Sequence, residues 1–137
     1  MRRKSLNSVE VRFFKLDYDD ILRHLRCYAS KLLDKGVKLV ILIGSLARGD
    51  FTAFSDADLI IICDDVPSRF LDRIDLFLDP SLPIDLDLRV YTSSEFLGMA
   101  REGRRFISEL LRYGIVLAGN QKFLDLIKEN YASFAKY

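Results

Sequence analysis

The residues most suited to chemistry lie in one short stretch between two apolar segments. Gly44 and Ser45 open this stretch, and the aspartates Asp56 and Asp58 close it. A glycine-rich turn after a buried strand brings backbone N–H groups close to an anion, and a serine hydroxyl adds a further donor. The pattern therefore indicates a turn that binds phosphate, with Arg48 inside it as a further phosphate contact.

This turn is not a P-loop, although its two glycines have the P-loop spacing. Asp50 and Phe51 stand where a P-loop requires a lysine and a serine or threonine. Asp56 and Asp58 project from the same face of a predicted strand and would repel each other without a cation between them. Mg²⁺ prefers carboxylate oxygens and completes its coordination with substrate phosphates, so magnesium is the predicted cofactor, with Mn²⁺ as its substitute.

A later segment offers a third carboxylate. Residues 84–91 alternate apolar and polar, and Asp85 and Asp87 share the polar side. A third ligand from a neighbouring strand lets two metal ions assemble, one on the triphosphate and one on the attacking hydroxyl. The alternation leaves the choice between Asp85 and Asp87 open, and the set of acidic residues indicates phosphoryl transfer.

Hydrophobic periodicity predicts the elements that position these residues. The predicted strands cover residues 37–43, 58–63, 84–91 and 115–117. Helices are predicted over 19–35, from Pro67 to 78, after the Thr92–Glu95 capping-box spacing, from Phe106 to Gly114 and after Asn120. The expected fold is α/β, a short mixed sheet flanked by helices.

The length of 137 residues is suited to one hydrophobic core, so we expect a single domain over residues 1–137. Residues 1–16 are predicted as an N-terminal arm or a short edge strand, because apolar residues alternate over 9–14. Residues 120–137 are predicted as a C-terminal helix. Its apolar stripe is expected to be exposed and covered by a partner or a second subunit.

Composition excludes several classes of protein. Half the residues are hydrophobic and 30% are charged, which is typical of a soluble globular chain. The longest apolar run, 39–43, is too short to cross a bilayer, and the N-terminus does not resemble a secretory signal, so a cytoplasmic protein is expected. A net charge of +1 does not indicate a surface for nucleic acid.

The frame GSLARGDFTAFSDADLII resembles the signature of the minimal nucleotidyltransferases of the DNA polymerase β superfamily. The resemblance implies that Gly44 and Ser45 hold the triphosphate and that Asp56 and Asp58 bind two magnesium ions. It implies further that a third aspartate on a later strand helps activate the acceptor hydroxyl. The segment that runs from this strand into a threonine-led helix cap favours Asp87, with Asp85 as the alternative.

The resemblance also implies a reaction and a partner. The reaction is transfer of a nucleoside monophosphate, AMP from ATP, to an acceptor hydroxyl with release of pyrophosphate. Family members of this size occur beside small helical toxins of the HEPN type, so the implied acceptor is a tyrosine of such a partner; self-association is the other expectation. The competing hypothesis is a non-catalytic, antitoxin-like binding module of the same fold that masks a partner protein.

Overall fold

A computed structural model describes residues 2–135 of the chain, with side chains described over 17–135. The elements in chain order are α1 (Arg2–Leu33), β1 (Val37–Ile43), α2 (Gly44–Arg48), β2 (Ala57–Cys63), α3 (Phe70–Asp75), β3 (Leu86–Tyr91), α4 (Ser93–Arg101), α5 (Arg105–Tyr113), β4 (Ile115–Gly119) and α6 (Gln121–Ala135). Within these residues, no helix has both the length and the apolar character needed to cross a membrane.

The four strands form one mixed sheet in the order β3-β2-β1-β4. β1 runs antiparallel to both β2 and β4, whereas β2 and β3 run parallel. Both faces of the sheet are covered by helices. The predicted α/β fold with a short mixed sheet flanked by helices is therefore confirmed.

The two central strands, β1 and β2, bury side chains on both faces, as their β-branched and continuously apolar sequences predict. One face packs against α1, whose buried residues include Leu25 and Ala29. The other face packs against α4, α5 and α6, with Phe96, Ile107 and Ile127 fully buried. Neighbouring residues along each central strand thus contribute to two separate cores.

The N-terminal segment is helical, so the predicted edge strand is wrong. α1 begins at Arg2 and continues without interruption to Leu33. Two of the apolar residues that alternate over 9–14 also belong to a set that recurs at spacings of three and four, namely Leu6, Val9, Phe13 and Leu16. A helix that is already stabilised by packing further along extends through such a segment at little cost, because each added residue gains one hydrogen bond.

The C-terminal helix packs on the sheet to a greater extent than the sequence predicts. Asn120 caps α6, since its side-chain oxygen accepts a hydrogen bond from the Lys122 N–H at 2.8 Å. Phe123 and Ile127 are buried, and the stripe becomes exposed only at its end, where Phe134 is 46% exposed. The expectation that this stripe is uncovered is wrong for its first half, because the second face of the sheet leaves room for α6 beside α4. Residues 136 and 137 lie outside the described part.

A buried arginine side chain, which the sequence analysis did not predict, joins α3 to α4. Arg73 is 3% exposed, and its guanidinium pairs with both oxygens of Glu95 at 2.7 and 3.1 Å. Glu95 also completes the predicted capping box with Thr92. The Arg73–Glu95 pair also contacts the C-terminal end of β3, since Arg73 donates to the carbonyl oxygen of Val90.

Candidate active site

The ends of three neighbouring strands bring the predicted site residues together. In the antiparallel pair of β1 and β2, Ile43 lies opposite Asp58. In the parallel pair of β2 and β3, Asp58 lies opposite Asp87. Gly44 follows Ile43 directly, so the turn and the two carboxylates occupy adjacent positions across one end of the sheet.

Gly44 has a left-handed backbone conformation, with φ of 75°, and lies against the carboxyl group of Asp58. A β-carbon at this position would collide with the Asp58 side chain. Any other residue would therefore be strained and would displace that carboxyl group. The glycine is required because the backbone of the turn and the carboxylate occupy neighbouring space.

Asp58 and Asp87 form the electrostatic centre of the site. The pKa of Asp58 is raised, first because burial disfavours its charged form, and then because of the hydrogen bond and the negative charge of Asp87. The charge of Arg89 acts in the opposite direction and lowers the pKa of Asp58, whereas Asp56 adds to the rise. Two carboxyl groups in these positions repel each other when both are charged, unless a proton or a cation lies between them.

Asp56 and Asp85 lie on the adjoining side of the same sheet end. Asp56 is exposed immediately before β2, and together with Asp85 it lines a shallow hollow of about 380 Å³. The backbone oxygen of Asp85 accepts a hydrogen bond from the Ala57 N–H at 2.9 Å, which ties the start of β3 to the start of β2. Of the two alternatives for the third carboxylate, Asp87 thus stands opposite Asp58, whereas Asp85 shares a hollow with Asp56.

The turn itself is a short helix, α2. The Ser45 hydroxyl donates to the Ser55 hydroxyl at 3.2 Å, which links the turn to the segment before Asp56. Arg48 ends α2 and pairs with Asp50, with 3.3 Å between its Nε and a carboxylate oxygen. Ser45 is thus linked to the residue before Asp56, and Arg48 lines the same cavity as Asp58.

A cavity of about 170 Å³ opens beside Asp58. Its lining includes Gly44 and Arg48 together with residues from β3 and α5: Arg89, Phe106, Glu109 and Tyr113. Sequence reasoning missed these four residues. The alternation of β3 places Arg89 on the same face as Asp87, which was a usable signal, but the return of α5 to this end of the sheet has no local sequence signal.

The chemistry of the carboxylates fits a divalent cation. Mg²⁺ and Mn²⁺ take carboxylate oxygens as ligands, and a cation between Asp58 and Asp87 would relieve their repulsion. Asp56 is near enough to act on the Asp58 carboxylate. In the part of the chain that the structure describes, no three His, Cys, Asp or Glu side chains are already grouped in a metal-binding arrangement.

Comparisons with known proteins add a family and two similar folds. Residues 23–117 match the family described as nucleotidyltransferase domain. No curated protein matches the chain. A crystal structure of a toxin-antitoxin with AMP-PNP is 19% identical, with a TM-score of 0.56 over 81% of this chain and 87% of that one. A toxin-antitoxin MntA-HpeT mutant with two aspartate-to-glutamate changes is also 19% identical, with a TM-score of 0.57 over 81% of this chain and 86% of that one.

Proposed function

The chain belongs to the nucleotidyltransferase family, and from this premise we propose that it transfers AMP from ATP to an acceptor hydroxyl, with pyrophosphate released. Enzymes of this family generally use divalent metal ions. The observation that carries the proposal is the meeting of Gly44, Asp58 and Asp87 at adjacent positions across one end of the sheet.

Asp56, Asp58 and Asp87 are the residues that would hold the metal ions, with Asp85 as the alternative third ligand. When bound, these ions supply positive charge to the triphosphate and make the acceptor hydroxyl more acidic. Asp87 is the residue we assign to orient the acceptor and to take its proton. We base this division of roles on the strand register, because Asp58 lies on β2 between the turn and Asp87, whereas Asp87 lies on the outer strand β3.

The triphosphate contacts are assigned to the turn after β1. The backbone of Gly44 and Ser45 and the Ser45 hydroxyl are the donors, and Arg48 adds a guanidinium that matches a phosphate group in shape and charge. Arg48 lines the same cavity as Asp58, which supports its role. No side chain has to form a covalent intermediate in this scheme, since the acceptor oxygen attacks the α-phosphorus directly.

The acceptor we propose is a tyrosine of a small helical partner protein of the HEPN type, in a toxin–antitoxin pair. Two similar folds come from toxin-antitoxin structures, and one of these holds AMP-PNP. The other carries aspartate-to-glutamate changes at two positions separated by one residue, the spacing of Asp56 and Asp58 here. These parallels support both the setting and the importance of the aspartate pair.

The test follows the phosphorus atoms of ATP. The chain is mixed with Mg²⁺, the product of the adjacent reading frame as the candidate partner, and ATP labelled on either the α- or the γ-phosphate. We expect the α label alone to appear on the partner, to be lost with Asp58→Asn, and to persist with the exposed control Asp72→Asn. Transfer of the γ label would contradict the proposal, and a partner that binds without acquiring any label would favour the non-catalytic binding module.

A further inference from the structure

Tyr113 supplies the one hydroxyl-bearing side chain among the described residues that line the cavity at Asp58. It is the last residue of α5 and is 41% exposed. Within the described residues its hydroxyl makes no hydrogen bond, so the fold does not use this group. A nucleotidyltransferase needs an acceptor hydroxyl near its carboxylates, and this phenol belongs to the same cavity lining as Asp58.

The sheet register explains how Tyr113 reaches the site. Ile115 of β4 pairs with Leu42 of β1 in antiparallel fashion. Gly44 lies two residues after Leu42, and Tyr113 lies two residues before Ile115. Because the two strands run antiparallel, Gly44 and Tyr113 come to the same end of the sheet. Gly114 permits the tight passage from α5 to β4, because a β-carbon there would collide with the carbonyl oxygen of Leu110.

The other described tyrosines are engaged elsewhere. The Tyr18 hydroxyl donates to the Leu46 carbonyl oxygen at 2.9 Å, and the Tyr28 hydroxyl donates to the Phe77 carbonyl oxygen at 2.6 Å. The rings of the remaining two pack within aromatic groups: Tyr91 with Phe70, Phe96 and Phe106, and Tyr131 with Phe134. None of these four tyrosines lines the cavity at Asp58.

Arginine side chains lie near Tyr113, beside the carboxylates Asp58 and Glu109 of the same cavity lining. Arg48 and Arg89 line the same cavity, and the Arg112 guanidinium lies 5.3 Å from the centre of the Tyr113 ring. Guanidinium groups bind phosphate oxygens through paired, charge-assisted hydrogen bonds. A nucleotide whose phosphates are held by Arg48 and Arg89 would thus present them to the phenol oxygen, with Asp58 in the wall of the same cavity.

We propose that Tyr113 is an acceptor within the chain itself, so that the protein modifies its own tyrosine; this inference rests on the proposed function. The phenol oxygen attacks the α-phosphorus of ATP and forms a phosphodiester between Tyr113 and AMP. The bond from the α-phosphorus to the oxygen bridging to the β-phosphate breaks, and pyrophosphate leaves with that electron pair. The phenolic proton passes to Asp87.

Self-modification has a consequence for the next cycle. The AMP group on Tyr113 occupies the cavity in which the phosphates of a second ATP would bind. Each chain therefore accepts one nucleotide and then binds ATP more weakly. The intramolecular reaction limits itself, unlike transfer to a separate partner.

The experiment uses the purified full chain alone with Mg²⁺ and ATP, followed by intact-mass and tandem mass spectrometry. We expect the mass to rise by one AMP group, the adduct to map to Tyr113, and its first-order rate to be independent of protein concentration. Tyr113→Phe keeps the ring and removes the oxygen, so it should lose the adduct. The matched control Tyr131→Phe should keep it, with thermal unfolding of both variants checked against wild type.

Calorimetry of ATP binding to the wild-type chain separates the two hypotheses. If ATP binds with Mg²⁺ and no adduct forms, or if the adduct lies on another residue, the inference about Tyr113 is wrong and the proposed function stands. If ATP does not bind at all, both are wrong. An adduct on Tyr113 that persists in Asp58→Asn would also overturn the inference, because the Asp58 carboxylate would then have no part in the transfer.

Discussion

At the scale of single residues, the site depends on a conflict between Asp58 and Asp87. Two carboxyl groups stand opposite each other on adjacent strands, and burial raises the pKa of Asp58 before its neighbour adds to the effect. Such a pair weakens the free protein, because like charges on adjacent strands repel. A divalent cation held by the pair would relieve the repulsion, so on the proposed function a cost in stability accompanies a capacity for metal binding.

Asp87→Asn should therefore stabilise the metal-free chain, by about 0.2 to 1 kcal/mol, since the amide donates to Asp58 without adding charge. Wild type should gain thermal stability when Mg²⁺ and ATP are added, and the variant should gain less. Thermal unfolding with EDTA and with Mg²⁺–ATP measures both effects. A variant that is less stable in EDTA would show that the two carboxyl groups do not oppose each other.

Asp87 and Asp85 are also separable by activity. Asp87→Asn should impair nucleotide transfer more than it impairs ATP binding, because we assign Asp87 to the acceptor. Asp85→Asn should do less, since its side chain lines a hollow with Asp56 and is not opposite Asp58. Single-turnover assays with the acceptor protein rank the two variants, and the reverse ranking would move the third ligand to Asp85.

The sequence contains the signals for the turn and the aspartates because those residues are local and spaced by strand periodicity. Residues two apart on a strand share a face, so the polar face of each strand can be read from the sequence. Pairing of β2 with β3 then brings Asp58 and Asp87 opposite each other. Tyr113 and Glu109 could not be predicted in the same way. Their position depends on α5 returning to this end of the sheet, which is a property of helix packing and of the β1–β4 register.

At the scale of elements, the Arg73–Glu95 pair joins α3 to α4 around β3. The guanidinium is buried, makes a two-point contact with the carboxylate, and donates to the backbone of Pro67 and Val90 as well. Arg73 in the helical pattern of residues 70–78 gave no sign of burial, since arginine is ordinarily exposed. Its hydrogen bond to Val90 contacts the strand that also carries Asp87 and Arg89.

Arg73→Met should lower the free energy of unfolding by about 2 to 4 kcal/mol. Loss of one partner of a buried pair is costly, and the figure is reduced here because the Glu95 side chain is 36% exposed. Chemical denaturation measures the change. The control Arg69→Met alters an exposed arginine beside α3 and should change stability by less than about 1 kcal/mol.

The Arg73–Glu95 pair also predicts how the stability of the fold depends on pH. The hydrogen bonds from Arg73, and after these the one from the Thr92 N–H, hold the pKa of Glu95 below its ordinary value of 4.5. A carboxyl group with a lowered pKa in the folded state stabilises the fold above its unfolded pKa and loses this contribution as pH falls through the folded value. Wild type should thus lose stability below about pH 4.5, and Glu95→Gln should lose less over that range. Equal slopes for the two proteins would contradict this account.

At the scale of the whole molecule, one sheet separates two cores. α1 covers one face, and α4, α5 and α6 cover the other, so the final helix is part of the second core. Apolar periodicity predicted the helix but not its contacts, because the same stripe suits a sheet face or a partner equally well. The large exposed apolar residues include a group at 70–78 on and after α3, namely Phe70, Leu71, Leu76 and Leu78.

Two neighbouring residues of α6 test its role in the core. Ile127 is fully buried and Leu126 is 43% exposed. Ile127→Ala should destabilise the chain by about 2 to 5 kcal/mol, whereas Leu126→Ala should cost less than about 1 kcal/mol. Urea unfolding of the two variants provides the comparison. Equal small effects, together with a change in oligomeric state, would restore α6 as an association surface.

The central claim is that the aspartates at this end of the sheet bind ATP through divalent metal ions. Calorimetry of ATP binding tests it most directly, with Mg²⁺ and with EDTA, on wild type and on the double variant Asp56→Asn, Asp58→Asn. The control is Asp72→Asn, Asp75→Asn, which removes the same charge from exposed positions on α3. We predict binding by wild type and the control with Mg²⁺ only, and at least a tenfold loss in the double variant, since amides do not replace the charge that holds the cations. Equal affinity of wild type and the double variant, with metal and with chelator, would contradict the account.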